Sequence, residues 1–364
     1  MKENNKNKLS IVIPTYNEAE NIVGLINEIL STLNRINFEI IVVDDDSKDS
    51  TAKKILKNFK ENNRIILIRR KYDRGLVQSI KQGLQTITGS LFLVMDGDGQ
   101  HDPRDIIGML KLLKKSDLVI GIRKFDSNKS ISETRQSLSK FFNFLTRIVL
   151  KKKIKDPLTG FFAGKIFLLN KKFYSINNSG FKVLLDLIFA NKENLNKISE
   201  KKINFRTRKK GKSKLDFSIF FSFITQLISY LFNGLISSRF IGFILIGGCG
   251  FLLHFFLMFY FLKMTNLNFI FCHSVSTFIA STFNFTINNY LNFYDYKLKD
   301  FKNFSIGLLK YYFINIPGIG SSLTGASFAY NILTNNPYIA SFIGVIFDSI
   351  FKFIISVNWI WKSK

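Results

Sequence analysis

Cysteine is almost missing from this chain: 364 residues hold two, Cys249 and Cys272, both inside apolar runs. No disulfide framework can be built from them, and with only three scattered histidines there is no zinc-site spacing either. Both thiols are expected to be buried. The N-terminus, M-K-E-N-N-K-N-K, lacks an apolar core, so no signal peptide is expected and the first half belongs in the cytosol. Acidic residues are scarce as well: 26 Asp and Glu stand against 52 Lys and Arg, a net charge of +26. From Ser237 onward there are nine Lys/Arg and three Asp/Glu, which leaves 43 against 23 in the first 236 residues. A soluble part this basic suits anionic partners. Nucleic acid has only the charge behind it, with no recognisable motif, so none is expected as a partner. The adjoining apolar region favours anionic headgroups, an anionic membrane surface and diphosphates instead.

What is present divides in two. Up to about residue 215, short Ile/Val-rich runs (Leu9–Ile13, Glu39–Val43, Ile65–Ile68, Leu91–Met95, Leu118–Gly121) alternate with amphipathic segments near 18–33, 50–61, 75–87 and 103–115. The alternation predicts an α/β domain with a mostly parallel, Rossmann-like sheet covered by helices. Ligands then bind beyond the carboxyl ends of the strands. Residues 216–236 are apolar but interrupted by Ser, Thr, Gln and Asn, and follow a basic run; interfacial helices are expected there. Residues 237–364 contain four runs, 240–262, 267–293, 304–331 and 338–361, each long enough to cross a core that needs about 20 apolar residues. Pro317-Gly318 is expected to break the third. Lys297, Lys299, Lys302, Lys362 and Lys364 flank one side, so an integral membrane protein with four spans and both termini cytosolic is predicted.

The richest segment is Val94-Met95-Asp96-Gly97-Asp98-Gly99-Gln100-His101. If the strand stays extended, Asp96, Asp98 and Gln100 at i, i+2 and i+4 project to one side. Two carboxylates and an amide oxygen are hard donors that suit Mg²⁺ or Mn²⁺. An acidic turn with glycines for backbone freedom is the plainer alternative. At the end of the first strand, Pro14-Thr15-Tyr16-Asn17-Glu18 offers an aromatic face and a carboxylate, or simply a helix cap. After the second, Asp44-Asp45-Asp46-Ser47-Lys48-Asp49 packs four acids into six residues; Asp49 is expected to cap the next helix, Asp45 to contact a nucleotide, and Asp46 to be solvated.

This order of motifs resembles the family 2 glycosyltransferases of GT-A fold, and within them the polyprenyl-phosphate sugar synthases of the dolichyl-phosphate mannose synthase type. Further landmarks carry the resemblance: R-G-L at Arg74–Leu76, G-I-R at Gly121–Arg123, Arg135 with Ser139, K-D-P-L-T-G-F-F at Lys155–Phe162, and R-K-K-G-K-S-K-L at Arg208–Leu215. The C-terminal part resembles the GtrA-like four-helix family through its Asn-rich second run, Asn284–Phe293.

The resemblance implies roles by position. Asp96, Asp98 and Gln100 would hold a divalent cation, Mg²⁺ or Mn²⁺. Pro14, Tyr16, Glu18, Asp45, Asp96, Gly97 and Asp98 would bind the nucleotide sugar. Arg123, Arg135, Ser139, Arg208 and Lys214 would receive the acceptor phosphate. Asp98, Arg123 and Arg135 would carry the reaction. The chain departs from the family at Gly97 and Gly99, where Ala and Leu are common and where glycine is expected to loosen the backbone. It also has Asp186 where Glu is usual, and Asp102 where Pro is common, with no role assigned to it. The implied reaction is inverting transfer of a hexose, first of all mannose from GDP-mannose, onto polyprenyl phosphate. A UDP-glucose-dependent undecaprenyl-phosphate glucosyltransferase is the alternative donor reading. Processive polysaccharide synthases usually need a Q-x-x-R-W motif, absent here. A lipid-linked sugar flippase with a non-catalytic soluble domain is the alternative of another class.

Overall fold

A computed structural model of the chain describes residues 7–72, 75–123, 144–146, 148–150, 152, 154–157, 159–176, 183–206, 217–266, 268–333 and 337–361. It falls into two compact units, Met1–Lys214 and Leu215–Lys364.

The first unit is built on strands β1 (Leu9–Thr15), β2 (Phe38–Asp44), β3 (Ile65–Arg69), β4 (Leu91–Val94), β5 (Leu118–Arg123), β6 (Phe162–Lys165) and β7 (Ile198–Ile203). They form one sheet in the order β3-β2-β1-β4-β6-β5-β7. The pairs β1–β2, β2–β3, β1–β4 and β5–β7 are parallel, and β6 runs antiparallel to both neighbours. Every residue of β1 and β2 is buried, as a strand covered by helices on both faces must be. That is why LSIVIPT and FEIIVVD are almost unbroken apolar runs. Helices α1 (Ile22–Thr32), α2 (Thr51–Phe59), α3 (Leu76–Thr86) and α4 (Arg104–Leu113) link the parallel strands. In α1 the buried set Ile22, Leu25, Ile26 and Ile29 has the helical repeat that faces a core. In α3, Gly83 lets the helix lie on β1 and β2: a Cβ there would overlap the Val12 side chain and sit 3.0 Å from Val43 Cγ2.

Chain order reverses at β1, which leads out to β2 and β3 on one side while β4 lies on the other. Such a reversal opens a crevice at the carboxyl ends of the strands. The loops after β1, β2 and β4 all end there. The opposite end of the sheet is closed by Glu39, 4% exposed, whose carboxylate accepts from Lys8 Nζ (2.7 Å), Ser10 Oγ (2.5 Å), Thr88 N (2.7 Å) and Thr88 Oγ1 (2.8 Å). Burial pushes its pKa up, but these bonds outweigh burial and hold it below the usual carboxylate value.

The second unit is helical: Phe217–Leu231, Ser238–Met264, Phe269–Ile287, Phe301–Phe328 and Pro337–Trp359, with π-turns at Asn288–Asn292 and Ala329–Leu333. The third long helix runs straight through Pro317 rather than breaking there. Among the described residues, Ser238–Met264 is long and apolar enough to cross a membrane. Polarity in this unit is turned inside out. Phe251, Leu252, Phe255, Phe256 and Phe259 are exposed, while Gln226, Ser276, Asn288, Asn289 and Ser356 are buried at 0–1%. Cys272 is buried but Cys249 is exposed, against the expectation that both would be covered.

The π-turn explains the asparagines. Asn289 Nδ2 donates to Leu298 O (3.3 Å), and its Oδ1 accepts from Leu298 N (2.9 Å) and Trp361 Nε1 (3.1 Å). Asn292 Nδ2 donates to Arg239 O (2.9 Å) and Asn288 Oδ1 (3.1 Å). Gly242 and Gly250, two turns apart, leave the room that Asn292 and Asn284 occupy. Small residues on one helix thus admit polar residues of its neighbour, the packing that serves helices without a hydrophobic drive between them.

Two outcomes follow. Glu39→Gln lowers the thermal midpoint at pH 7. The gap to wild type narrows as pH falls below about 4.5, because a depressed carboxylate stabilises above its unfolded pKa and loses that contribution as it protonates; midpoints measured across pH 3–7 check this. Asn289→Leu strands the Trp361 and Leu298 N–H groups at about 1–3 kcal/mol each, read as a fall of several degrees in detergent.

Candidate active site

The strand β4 stops at Val94, so Asp96, Asp98 and Gln100 do not continue an extended chain as the sequence pattern implied. They lie on a tight turn in which Gly99 takes a positive φ of 74° and Asp98 Oδ1 accepts from Gln100 N (3.1 Å). Gly97 is buried against the end of β1: a Cβ there would come within 2.9 Å of Thr15 Cγ2 and 3.2 Å of Pro14 O. The two glycines therefore fit the turn rather than loosen it. One permits close approach, and the other a left-handed backbone that side chains disfavour.

Two neighbours set the first carboxylate. Asp96 N donates to His101 Nδ1 (3.2 Å), which requires the proton on Nε2 in the neutral ring. His101 is 2% exposed and stacks on Phe161 with centroids 4.8 Å apart. On the other side Gly160, from the K-D-P-L-T-G-F-F segment, leaves space for the Asp96 carboxylate: a Cβ there would lie 2.6–2.9 Å from its atoms. The Asp96 side chain remains 40% exposed.

Residues 201–206 form a strap across this turn. Arg206 N donates to Gln100 O (2.9 Å), Gln100 Nε2 donates to Arg206 O (3.2 Å), and His101 and Phe205 form an antiparallel bridge. The Arg206 guanidinium reaches Asp102 (3.0 Å) and Glu28 on α1 (2.7 Å). Asp105 takes Lys201 Nζ (2.7 Å) and Asn204 N (2.8 Å). Asp102, without an expected role, is 1% exposed and also accepts from Arg104 Nη2 (2.6 Å) and Arg104 N (3.0 Å). Burial opposes its charge, yet the Arg104 hydrogen bonds, with Arg206 beside them, hold the carboxyl down at about 2.

At the carboxyl ends of β1 and β2, the two following loops are bonded together. Asn17 N donates to Ser47 Oγ (2.9 Å), Lys48 N to Asn17 Oδ1 (2.9 Å) and Glu18 N to Thr51 Oγ1 (3.0 Å). Asp49 takes both Ala19 N (2.9 Å), in the loop before α1, and Thr51 N (3.1 Å), the first residue of α2, so it ties the two loops together while Ser50 holds the N-cap position of α2. Burial raises its pKa, but those bonds lower it further than burial lifts it. Pro14 is buried at the strand end and Tyr16 stands 55% exposed above it. Glu18 Oε2 accepts from Asn21 Nδ2 (2.8 Å). Asp45 is 8% exposed and already engaged: Oδ1 meets Arg70 Nη1 (3.1 Å) and Oδ2 accepts from Gly75 N (2.7 Å). Asp46 pairs with Lys48 (2.8 Å) rather than being merely solvated.

The structure brings Pro14, Tyr16, Glu18, Asp45, Asp96, Gly97, Asp98 and Gln100 to the carboxyl ends of the neighbouring strands β2, β1 and β4. Arg123 ends β5, paired with Ile203 of β7. Arg135, Ser139, Arg208 and Lys214 lie outside the described residues. Asp186 is fully buried on the helix Val183–Ala190, 3.6 Å from Lys81 Nζ, which also donates to Ile176 O (2.6 Å). Burial lowers the Lys81 pKa and Asp186 partly restores it. Asp186 is thus part of the interior on this side of the unit.

The chain is similar to known proteins in both of its parts. Residues 10–174 match the profile of glycosyl transferase family 2, and residues 242–361 that of the GtrA/DPMS transmembrane domain. The chain is 35% identical over 225 residues to a dolichol-phosphate mannosyltransferase of Pyrococcus furiosus, covering 60% of this chain and 62% of that one. It is 28% identical to the enzyme of the same name from Mycosarcoma maydis, over 60% of this chain and 77% of the other. In three dimensions, glucosyl-3-phosphoglycerate synthase of Mycobacterium tuberculosis, solved with Mn²⁺ and UDP-glucose, superposes with a TM-score of 0.48 at 16% identity, over 63% of this chain and 79% of that one.

Gly160→Ala forces the Asp96 carboxylate from its place. It lowers kcat/KM for sugar transfer by about tenfold or more, since small misplacements at a reacting centre cost up to ~100-fold, while the thermal midpoint changes little. Steady-state kinetics beside a melting curve check both halves.

Proposed function

We propose that the chain, which matches the glycosyl transferase family 2 profile over residues 10–174 and the GtrA/DPMS transmembrane profile over 242–361, is a membrane protein that transfers mannose from GDP-mannose, with inversion, onto a polyprenyl phosphate of the dolichyl type. The observation that carries this reading is the turn at 96–100. It gathers two carboxylates and an amide where the parallel strands end, in a chain that also holds a membrane domain. The resemblance to two dolichol-phosphate mannosyltransferases supports the acceptor and the sugar.

The donor set fits Mg²⁺ or Mn²⁺, since Asp96, Asp98 and Gln100 offer hard oxygens and the Asp96 carboxylate stays accessible. Such a cation, when bound, supplies Lewis-acid stabilisation of the leaving diphosphate. The protein's own residues do the rest. Tyr16 gives the base an exposed aromatic face, and Pro14 and Gly97 shape the floor below it. Glu18 and Asp45 offer carboxylates at the ends of β1 and β2 to the donor's hydroxyl and ring N–H groups. Arg123, Arg135, Ser139, Arg208 and Lys214 receive the acceptor phosphate through charge-assisted bonds. No side chain is needed as a general base: a phosphate monoester has its second pKa near ~6, so the acceptor is already a dianion at pH 7 and attacks the anomeric carbon in line.

A polyprenyl tail holds the acceptor in the bilayer, because each exposed CH₂ costs about 0.8 kcal/mol. The domains accordingly read as a catalytic part, 1–215, interfacial residues 216–236, and four spans in 237–364, with both termini cytosolic. The buried Gln226 and Ser229 and the exposed Leu231, Phe232 and Leu235 agree with a first helix resting in lipid. The test offers labelled GDP-mannose and UDP-glucose, in parallel, to polyprenyl phosphate in detergent with Mn²⁺. Label passes into the lipid phase from GDP-mannose, and Asp98→Ala lowers the rate by at least about a hundredfold. Transfer from UDP-glucose alone would overturn the donor assignment. No transfer from either, by protein shown to bind metal and lipid, would overturn the enzymatic reading of this acceptor.

A further inference from the structure

A glutamine can ligate a cation only through its amide oxygen, and a half-turn about its last bond presents the NH₂ group instead. Something must therefore choose between the two faces of Gln100. Here the choice is visible: Nε2 donates to Arg206 O, which leaves Oε1 as the end available to a cation. The accepting carbonyl is fixed because the same residue returns a bond, Arg206 N to Gln100 O at 2.9 Å. That backbone pairing is in turn held in register by the Arg206 guanidinium. It spans Asp102, 1% exposed, and Glu28 on the neighbouring helix. Without the guanidinium, Asp105 still holds the strap at Lys201 and Asn204, but residue 206 itself keeps only its two bonds to Gln100. A guanidinium close to a cation site also repels the cation, and here two carboxylates, Asp102 and Glu28, offset it.

We infer that Arg206, clamped between Asp102 and Glu28, is a positioning residue that holds the Gln100 amide with its oxygen toward the divalent cation. The inference rests on the proposed cation site at Asp96, Asp98 and Gln100. It assigns work to three residues that reach neither donor nor acceptor. Partners behind a metal ligand typically change metal affinity by 10–100-fold when removed.

The test is direct Mn²⁺ binding by the full-length protein in detergent, followed through the electron paramagnetic resonance of free Mn²⁺ in the presence of GDP. Arg206→Met weakens Mn²⁺ binding by about tenfold, with a thermal midpoint close to wild type. Glu28→Gln, a half-exposed change that leaves the core untouched, removes one arm of the clamp and weakens binding in the same direction by a smaller factor. The decisive comparison uses Gln100→Glu, whose carboxylate presents oxygen whichever way it turns. In that background, adding Arg206→Met leaves Mn²⁺ affinity unchanged. An equal loss with Gln or Glu at position 100 would overturn the inference, because Arg206 would then act through something other than the amide. Unchanged Mn²⁺ affinity in Arg206→Met, beside a wild type that binds the ion, would overturn it alone. A wild type that binds no Mn²⁺ even with nucleotide present would overturn the cation site and this inference together.

Discussion

The close approach of the 96–100 turn to the end of β1 is the constraint on which the catalytic unit depends. Gly97 has no side chain because Thr15 and Pro14 occupy the space where one would stand. From that contact the rest is set in order. Gly99 turns the chain back, His101 receives the Asp96 amide, and Gly160 makes way for the Asp96 carboxylate. The strap at 204–206 then closes over Gln100. Each element comes from a distant part of the chain, yet all meet where strand order reverses. A site placed on sheet ends rather than on a long loop holds its geometry through many buried backbone bonds.

The helical unit follows a different rule. Many of its large apolar side chains face outward while Asn288, Asn289 and Asn292 are buried, an arrangement suited to hydrocarbon, where a polar group that faces lipid has no water to satisfy it. Asn289 is the clearest case: one side chain serves a backbone N–H, a backbone carbonyl and the Trp361 indole. Phe293 stacks on the same Trp361 at 4.2 Å, and Phe285 stacks on it at 5.6 Å. The aromatic cluster and the asparagine network therefore share one residue at the chain's end.

Much of this was legible in the sequence. The five strands marked by Ile/Val runs and the four amphipathic helices appear within a few residues of their expected places, since periodicity reports burial directly. The segments after β1, β2 and β4 were marked by residue type alone, although the N-cap of α2 falls at Ser50 and not at the expected Asp49. What the sequence hid was long-range or conformational. Asp102 looked idle because its partner Arg206 is 104 positions away. Asp45 looked like a free ligand because Arg70 and Gly75 become its neighbours only once β2 and β3 pair. Whether 96–100 is an extended strand end or an acidic turn is open in the sequence because alternating carboxylates look alike in both; the positive φ of Gly99 decides for the turn. Pro317-Gly318 suggests a break, whereas the helix Phe301–Phe328 continues through Pro317.

The central claim is that the turn at 96–100 seats the cation that meets the donor diphosphate. Anomalous diffraction at the manganese edge, from crystals of the full chain soaked with Mn²⁺ and GDP, tests it most directly. The account predicts one strong peak touching side-chain oxygens of Asp96, Asp98 and Gln100, with the diphosphate on its far side. Nucleotide bound at the strand ends with no manganese beside those three residues, or manganese held elsewhere, would contradict it.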